Sequence, residues 1–221
     1  TEFDVNSTGT TTIIGDITSA GGNVAFDGVT NVILGADVNI STGNAAGGNI
    51  DFDNAAANSL SGGFDLALDA GTGTVTLDNV TQLTSLRIED LANDDNTGGA
   101  STITFTGDVD VLGSIEARAD NAAAAGLITV AGSITSGGAV TLASVGTAQD
   151  ATVDVDAAIA SDGALTLSAD TTAAGNAATL DVDGALSSNN NIQATSDDTI
   201  SIDADVSATG SSTITITADT D

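Results

Sequence analysis

The residues of this chain that could do chemistry are carboxylates and hydroxyls. The sequence holds 31 Asp plus Glu and two Arg, and it has no His, Cys, Tyr or Lys. General bases and nucleophiles are therefore limited to acidic and hydroxyl side chains. The carboxylates are regularly placed. Asp27, Asp53, Asp78, Asp156, Asp183 and Asp203 each follow directly on a triplet with apolar first and third residues, such as Val153-Asp-Val or Leu180-Asp-Val. Asp154 and Asp181 occupy the middle of those two triplets. On alternating strands, these positions all face outward. Asp154, Asp156, Asp181 and Asp183 are expected to form a two-by-two carboxylate cluster on one face. Like charges about 5 Å apart repel by roughly 0.8 kcal/mol per pair even in bulk water, and opposed like charges destabilise a sheet. Calcium, which takes carboxylate and carbonyl oxygens, is one way to offset this. A solvated face screened by dissolved ions is the other. The eight Asp are the candidate ligands of a structural calcium.

Other candidates are weaker. The Asn93-Asp-Asp-Asn-Thr-Gly-Gly stretch reads as an exposed turn before it reads as a cation loop. Gly47-Gly-Asn-Ile-Asp-Phe-Asp has a partial likeness to calcium-binding nonapeptide repeats, but it lacks their internal glycine and does not recur every nine residues. Thr102-Ile-Thr-Phe-Thr and Thr213-Ile-Thr-Ile-Thr set Thr at alternate positions. A flat Thr array can order water as ice does, but here Asp and Ala interrupt it, and Thr is in any case a good strand residue. Arg87 and Arg118 read as local partners of Glu89, Asp90, Glu116 or Asp120. Two carboxylates could in principle hydrolyse a glycoside. These carboxylates, however, recur along the chain, whereas an active site breaks a repeat locally. The expectation is that the chain is not an enzyme.

The elements that position these residues are set by a repeat, which is the first thing to seek in such a sequence. Ile103-Thr-Phe-Thr, Ile128-Thr-Val-Ala, Val153-Asp-Val-Asp and Leu180-Asp-Val-Asp start 25, 25 and 27 residues apart. Ile115-Glu-Ala-Arg, Val140-Thr-Leu-Ala, Leu165-Thr-Leu-Ser and Ile192-Gln-Ala-Thr keep the same spacings, 12 residues out of phase. Between the two sets falls a third apolar point, at Val109, Ile134, Ile159 and Leu186. One repeat thus reads strand, turn, short strand, turn, strand, loop, with Gly or Asn in the turns. Ile200-Ser-Ile-Asp and Ile214-Thr-Ile-Thr continue the pattern. Upstream, Val24-Ala-Phe-Asp, Ile50-Asp-Phe-Asp and Val75-Thr-Leu-Asp do the same, although the phase over residues 1–70 is less sharply defined and Val24 fits either strand set. The column two residues into the first strand (Phe26, Phe52, Leu77, Phe105, Val130, Val155, Val182, Ile202) is apolar throughout. A one-residue slip would put Asp and Thr inside.

A repeat of about 25 residues with three short strands predicts one turn of a parallel β-helix. The reading is an all-β, parallel β-helix (β-solenoid) of about eight to nine coils, forming a single array over 1–221. A β-sandwich, the alternative for regularly spaced strands, has no reason to hold two strand sets in fixed phase. Composition agrees. The core is limited to five Phe with Val, Ile, Leu and Ala, without Trp, Tyr or Met, as suits a narrow interior. No proline occurs and 26 glycines do. The only helix-friendly stretch, Asn121–Ala125, is too short to stand alone. No run of about 18 apolar residues exists to cross a membrane as a helix.

Segments such as Gly132-Ser-Ile-Thr-Ser-Gly-Gly-Ala-Val-Thr-Leu and Val75-Thr-Leu-Asp-Asn-Val-Thr-Gln-Leu-Thr-Ser-Leu resemble the filamentous-haemagglutinin type of repeat. The resemblance covers most of the chain. It implies secretion, a right-handed helix, and a role in bacterial adhesion, matrix or filament. Polysaccharide lyases built on such a helix commonly use a basic residue, and here only Arg87 and Arg118 are available, at different positions of the repeat. Net charge points the same way as the resemblance. At −29, nucleic acid is excluded as a partner, because its phosphates need Lys and Arg. An anionic membrane surface is excluded likewise, which leaves cations, water and positively charged polymers. Thr1 opens within repeat sequence, as a processed or excised product would, and Ile214-Thr-Ile-Thr lies close to Asp221. Uncapped solenoid edges template further pairing. The expected role is a structural component of a secreted surface fibre or matrix that stacks head to tail with copies of itself and binds cations on its acidic face. The alternative is a calcium-dependent adhesin or a stalk module that binds extracellular polysaccharide or a cell surface.

Overall fold

Alternation of β-branched or Leu residues with Thr, Ser and Asp makes each short segment a strand with one apolar face. No single segment can bury that face alone, so the coils stack. The computed structural model describes residues 2–26, 28–43, 47–52, 59–88, 100–121 (backbone only at 121) and 124–219. In it the chain visits three parallel sheets in strict rotation. Each sheet has nine strands, and each turn of the chain contributes one strand to each sheet. Among the described residues there is no helix, and Asn121 closes the strand Ile115–Asn121. At about 4.8 Å per coil the stack is roughly 40 Å long.

The registers are those of the repeat. In the first sheet Ile103, Ile128, Val153, Leu180 and Ile200 pair in one column. That column continues back through Val75, Ile50 and Val24 to Phe3, which assigns Val24 to the first strand set. The second sheet carries Val109, Ile134, Ile159, Leu186 and Val206. The third carries Leu86, Ile115, Val140, Leu165, Ile192 and Ile214.

The interior is one continuous column of Val, Ile, Leu, Ala and Phe. Phe26, Phe52, Leu77, Phe105, Val130, Val155 and Val182 are all buried, and Ile202, in the last coil, is partly covered. Phe26 and Phe52 stack with centroids 4.6 Å apart and planes 11° apart, and Phe3 meets Phe26 edge-on at 6.3 Å. Ala25, an outward position, is nevertheless buried. Its methyl is small and is flanked in register by Asp4 and Asp51.

Corners need residues without side chains. A Cβ on Gly132 would lie 2.0 Å from the Gly107 carbonyl oxygen one coil back. The second sheet contains one irregularity, where register shifts between Thr81 and Leu83. The extra residue, Gln82, has φ 59°, the left-handed conformation typical of a bulge. The last coil is open on its outer side: Ile214 and Ile216 are 44% and 51% exposed, and in the first coil Phe3 is 41% exposed.

Candidate functional site

The first sheet builds the acidic face. Asp154 and Asp181 are direct register partners on neighbouring strands, with Thr129 before them and Ser201 after. Asp156, Asp183 and Asp203 each stand one residue beyond the strand end. Their N–H groups donate to Val130, Val155 and Val182 carbonyls at 2.9–3.0 Å, so the corner keeps the ladder's register. Asp154 and Asp181 are half-buried, whereas Asp156, Asp183 and Asp203 are exposed. Burial first, then the charges of Asp156, Asp181 and Asp183, raise the Asp154 carboxyl above its ordinary pKa. The structure thus brings together the four carboxylates of the two-by-two cluster.

Of the other four candidates, two are described, Asp78 and Asp203. Thr106 and Ala131 separate Asp78 from the cluster in sequence phase. Asp78 is half-buried and accepts a hydrogen bond from Asn79 Nδ2 at 3.0 Å. Asp203 follows Asp183 in the corner column, while Ser201 takes the place of a third carboxylate in the column of Asp154 and Asp181. Asp27 and Asp53 lie outside the described residues, as do the 93–99 stretch, Glu89 and Asp90. The four clustered carboxylates repel one another, but among the described residues no three acidic side chains converge as metal ligands do. Carboxylates spread along a flat face can hold a mobile cation atmosphere without that convergence.

Much of the remaining acid has a different use that the repeat spacing did not reveal. Near the corners and strand starts, Asp and Asn side chains accept main-chain N–H groups of the adjacent coil. Asp16 Oδ1 accepts from Asn39 N–H at 2.8 Å, Asp37 Oδ1 from Asp65 at 3.1 Å, and Asp150 Oδ1 from Ala177 at 2.8 Å. Asn49 and Asn191 do the same for Thr74 and Thr213. Asp108 Oδ1 accepts from both the hydroxyl (2.7 Å) and the N–H (2.9 Å) of Ser133. Those two bonds hold its carboxyl below the ordinary value. The signal for these staples was in the sequence as Asp or Asn one coil length before a turn residue, but it was hidden by coil lengths that vary from turn to turn.

A second missed set is a buried Ser column at the end of the second sheet. Ser136, Ser161 and Ser188 are register partners and are covered. Gly163 O accepts from Ser161 Oγ at 3.0 Å and from Ser188 Oγ at 2.7 Å. The arginines behave as expected. Arg118 binds the buried Asp120 at 3.2 Å, and Arg87 approaches Glu116 at 4.0 Å. The Thr columns of the first sheet are interrupted at Leu127 and Asp154. A depression of about 340 Å³ runs over the second sheet, with Asp110, Leu112, Thr135, Asp162, Ser187 and Asn189 in its walls. No family model, no curated protein and no solved structure matches the chain.

Proposed function

We propose that the chain is a rod-like structural module of a secreted surface fibre or matrix, of the filamentous-haemagglutinin type. The observation that carries this reading is the uniformity of the stack: three nine-stranded sheets in unbroken rotation. Such a column resists bending and axial unfolding because every coil is hydrogen-bonded to the next. Its function is then to span distance and present surface. A reactive centre would demand a local departure from the repeat. The charge suits a hydrated, cation-rich exterior, with calcium gathered by Asp154, Asp156, Asp181 and Asp183.

End-to-end association of copies is the second part of this proposal. The outer coils leave strand edges and apolar side chains open, including Phe3 at one end and Ile214 and Ile216 at the other. A second copy set in the coil register would cover them, and a heterologous contact of this kind extends without closing. Electron microscopy of the purified chain, with and without calcium, tests the reading. Filaments are expected, longer with calcium. Single short rods under both conditions, with a monomer by sedimentation at millimolar concentration, would sink the self-assembly part.

The depression over the second sheet favours a second reading, a stalk that binds extracellular polysaccharide or a cell surface through calcium. The hydroxyl, amide and carboxylate groups among its mixed walls offer donors and acceptors to sugar hydroxyls, and Leu112 an apolar contact. A chelator that abolishes glycan binding while the fold survives distinguishes this reading from the first.

A further inference from the structure

Exposed apolar side chains are not scattered over this rod. Apart from Phe3, Ile214 and Ile216 in the outermost coils, the large apolar residues exposed among the described ones are Ile14, Ile33, Phe64 and Leu112, at 76%, 38%, 37% and 61%. Ile14, Phe64 and Leu112 sit in the turn that leads from the second sheet to the third, in coils one, three and five. Ile33 faces outward from the second-sheet strand of coil two. These turns stack on one another. Gly35 of coil two donates its N–H to Ile13 O at 2.8 Å, and a Cβ there would stand 2.9 Å from Ile14 Cγ2. Thr84 N–H of coil four donates to Phe64 O, and Leu112 N–H of coil five to Leu83 O, both at 2.9 Å. At about 4.8 Å per coil, the four side chains line roughly 20 Å of one edge.

The core does not account for this edge. Beyond Leu112 the same turn position holds Gly137, Asp162, Asn189 and Thr209, so the fold accepts polar residues there. Coil four keeps the edge uncharged, with Gln82 and Thr84 exposed. Carboxylates run beside it. Asp16, Asp37 and Asp65 are exposed in the turns of the first three coils. Each is held in place by the next coil. Asp16 Oδ1 accepts from Asn39 N–H at 2.8 Å, Asp37 Oδ1 from Asp65 N–H at 3.1 Å, and Asp65 Oδ1 from the Ser85 hydroxyl at 2.7 Å. Side chains fixed in this way lose little freedom when a partner binds.

We propose that this edge docks a basic amphipathic segment of another protein. The segment sets apolar side chains against Ile14, Ile33, Phe64 and Leu112, and Lys or Arg against Asp16, Asp37 and Asp65. Charge selects this occupant over the others that an apolar edge could take. A second copy brings its own net charge of −29 against the carboxylates. Its two Arg stand on the third sheet, beside Glu116 and Asp120. A neutral lipid surface would cover the apolar side chains but leave the carboxylates desolvated and unpaired. A basic amphipathic segment meets both halves of the edge. Apolar contact supplies the hold, and the ion pairs speed encounter and exclude acidic competitors.

The probe is a synthetic Leu/Lys peptide with Leu at helical spacing, titrated against the whole chain by fluorescence anisotropy beside a Ser/Lys peptide of equal charge. The Leu/Lys peptide is expected to bind at least about tenfold more tightly, and to weaken as salt rises. A variant carrying Ile14→Ser, Phe64→Ser and Leu112→Ser, all at exposed positions, is expected to bring the two peptides level. A second variant carries Asp16→Asn, Asp37→Asn and Asp65→Asn, which keep the acceptor oxygens and remove the charges. It is expected to bind the Leu/Lys peptide about fivefold more weakly, and it decides the matter should the Ser variant fail to fold. Equal binding of the two peptides to the native chain overturns the proposal, as does an Asn variant that binds the Leu/Lys peptide as tightly as the native chain. Dimers by sedimentation in the native chain but not in the Ser variant would assign the edge to a second copy instead. Capture of the native chain by phosphatidylcholine vesicles, lost in the Ser variant, would assign it to lipid.

Discussion

A single acidic residue has one of two roles in this chain, and the two respond oppositely to pH. Asp154 is a repelling group. Its carboxyl is raised by burial and by three neighbouring charges, so whatever stability it adds is complete below the ordinary carboxylate range and is lost as pH climbs through its raised value. Asp108 is a bonded acceptor whose carboxyl is lowered by Ser133. Its contribution is present above the ordinary value and disappears in acid. Asp154→Asn is therefore expected to stabilise the fold at neutral pH, by about 0.2–1 kcal/mol after solvent screening, and to do nothing at a pH where the native carboxyl is protonated. Thermal melts at the two pH values check this, and a variant that loses stability at neutral pH would mean that Asp154 holds a cation it needs. The pairing of Asp154 with Asp181 was legible because both lie in the regular strand. The staples from Asp37, Asp150 or Asp198 were not, because they act at corners, where a coil of 22 residues and one of 28 look alike until the chain is wound.

At the scale of the element, strands were easier to read than turns. The columns headed by Ile103, Val109 and Ile115 follow from period-two alternation and constant phase, and they are the observed register pairs. The Gln82 bulge was missed: Val80 and Leu83 stand three apart where their partners Val109 and Val111 stand two apart, and one such gap within Asn79–Leu83 reads equally as the end of a strand. The corners are the tightest points of the coil. Gly132 stacks on Gly107 so closely that any Cβ would strike backbone, which has no rotamer by which to yield. Gly63 has open space around it and an ordinary backbone conformation. Gly132→Ala is expected to cost about 2–3 kcal/mol through forced backbone shifts, and Gly63→Ala to stabilise by about 0.4–1 kcal/mol through the unfolded chain. Denaturant midpoints of the two variants measure the contrast, and equal midpoints would show that the corner relaxes at little cost.

As a whole molecule the solenoid is close to one-dimensional, because each coil packs mainly on the coil before and the coil after. Its stability is then a chain of nearest-neighbour terms rather than one shared core, and a defect divides the stack at the place where it occurs. The aromatic content is uneven along that chain. Phe26 and Phe52 stack in one inward column, with Phe3 edge-on against Phe26 from the neighbouring column of Val24, whereas Val130, Val155 and Val182 fill the inward column further on. The ring of Phe52 is thus the joint between the N-terminal coils and Leu77. Truncating a buried Phe to Ala costs about 3–5 kcal/mol. In a globular core that loss would lower the whole transition, but here it falls on one interface. Phe52→Ala is accordingly expected to split unfolding in two. Amides in the strands from Phe3–Asp4 to Val38–Ser41 lose protection together, while those from Thr102–Phe105 to Ile192–Ser196 keep native rates. Hydrogen exchange read by mass spectrometry resolves the two groups, and a uniform loss across all coils would show that the column folds as a single cooperative body.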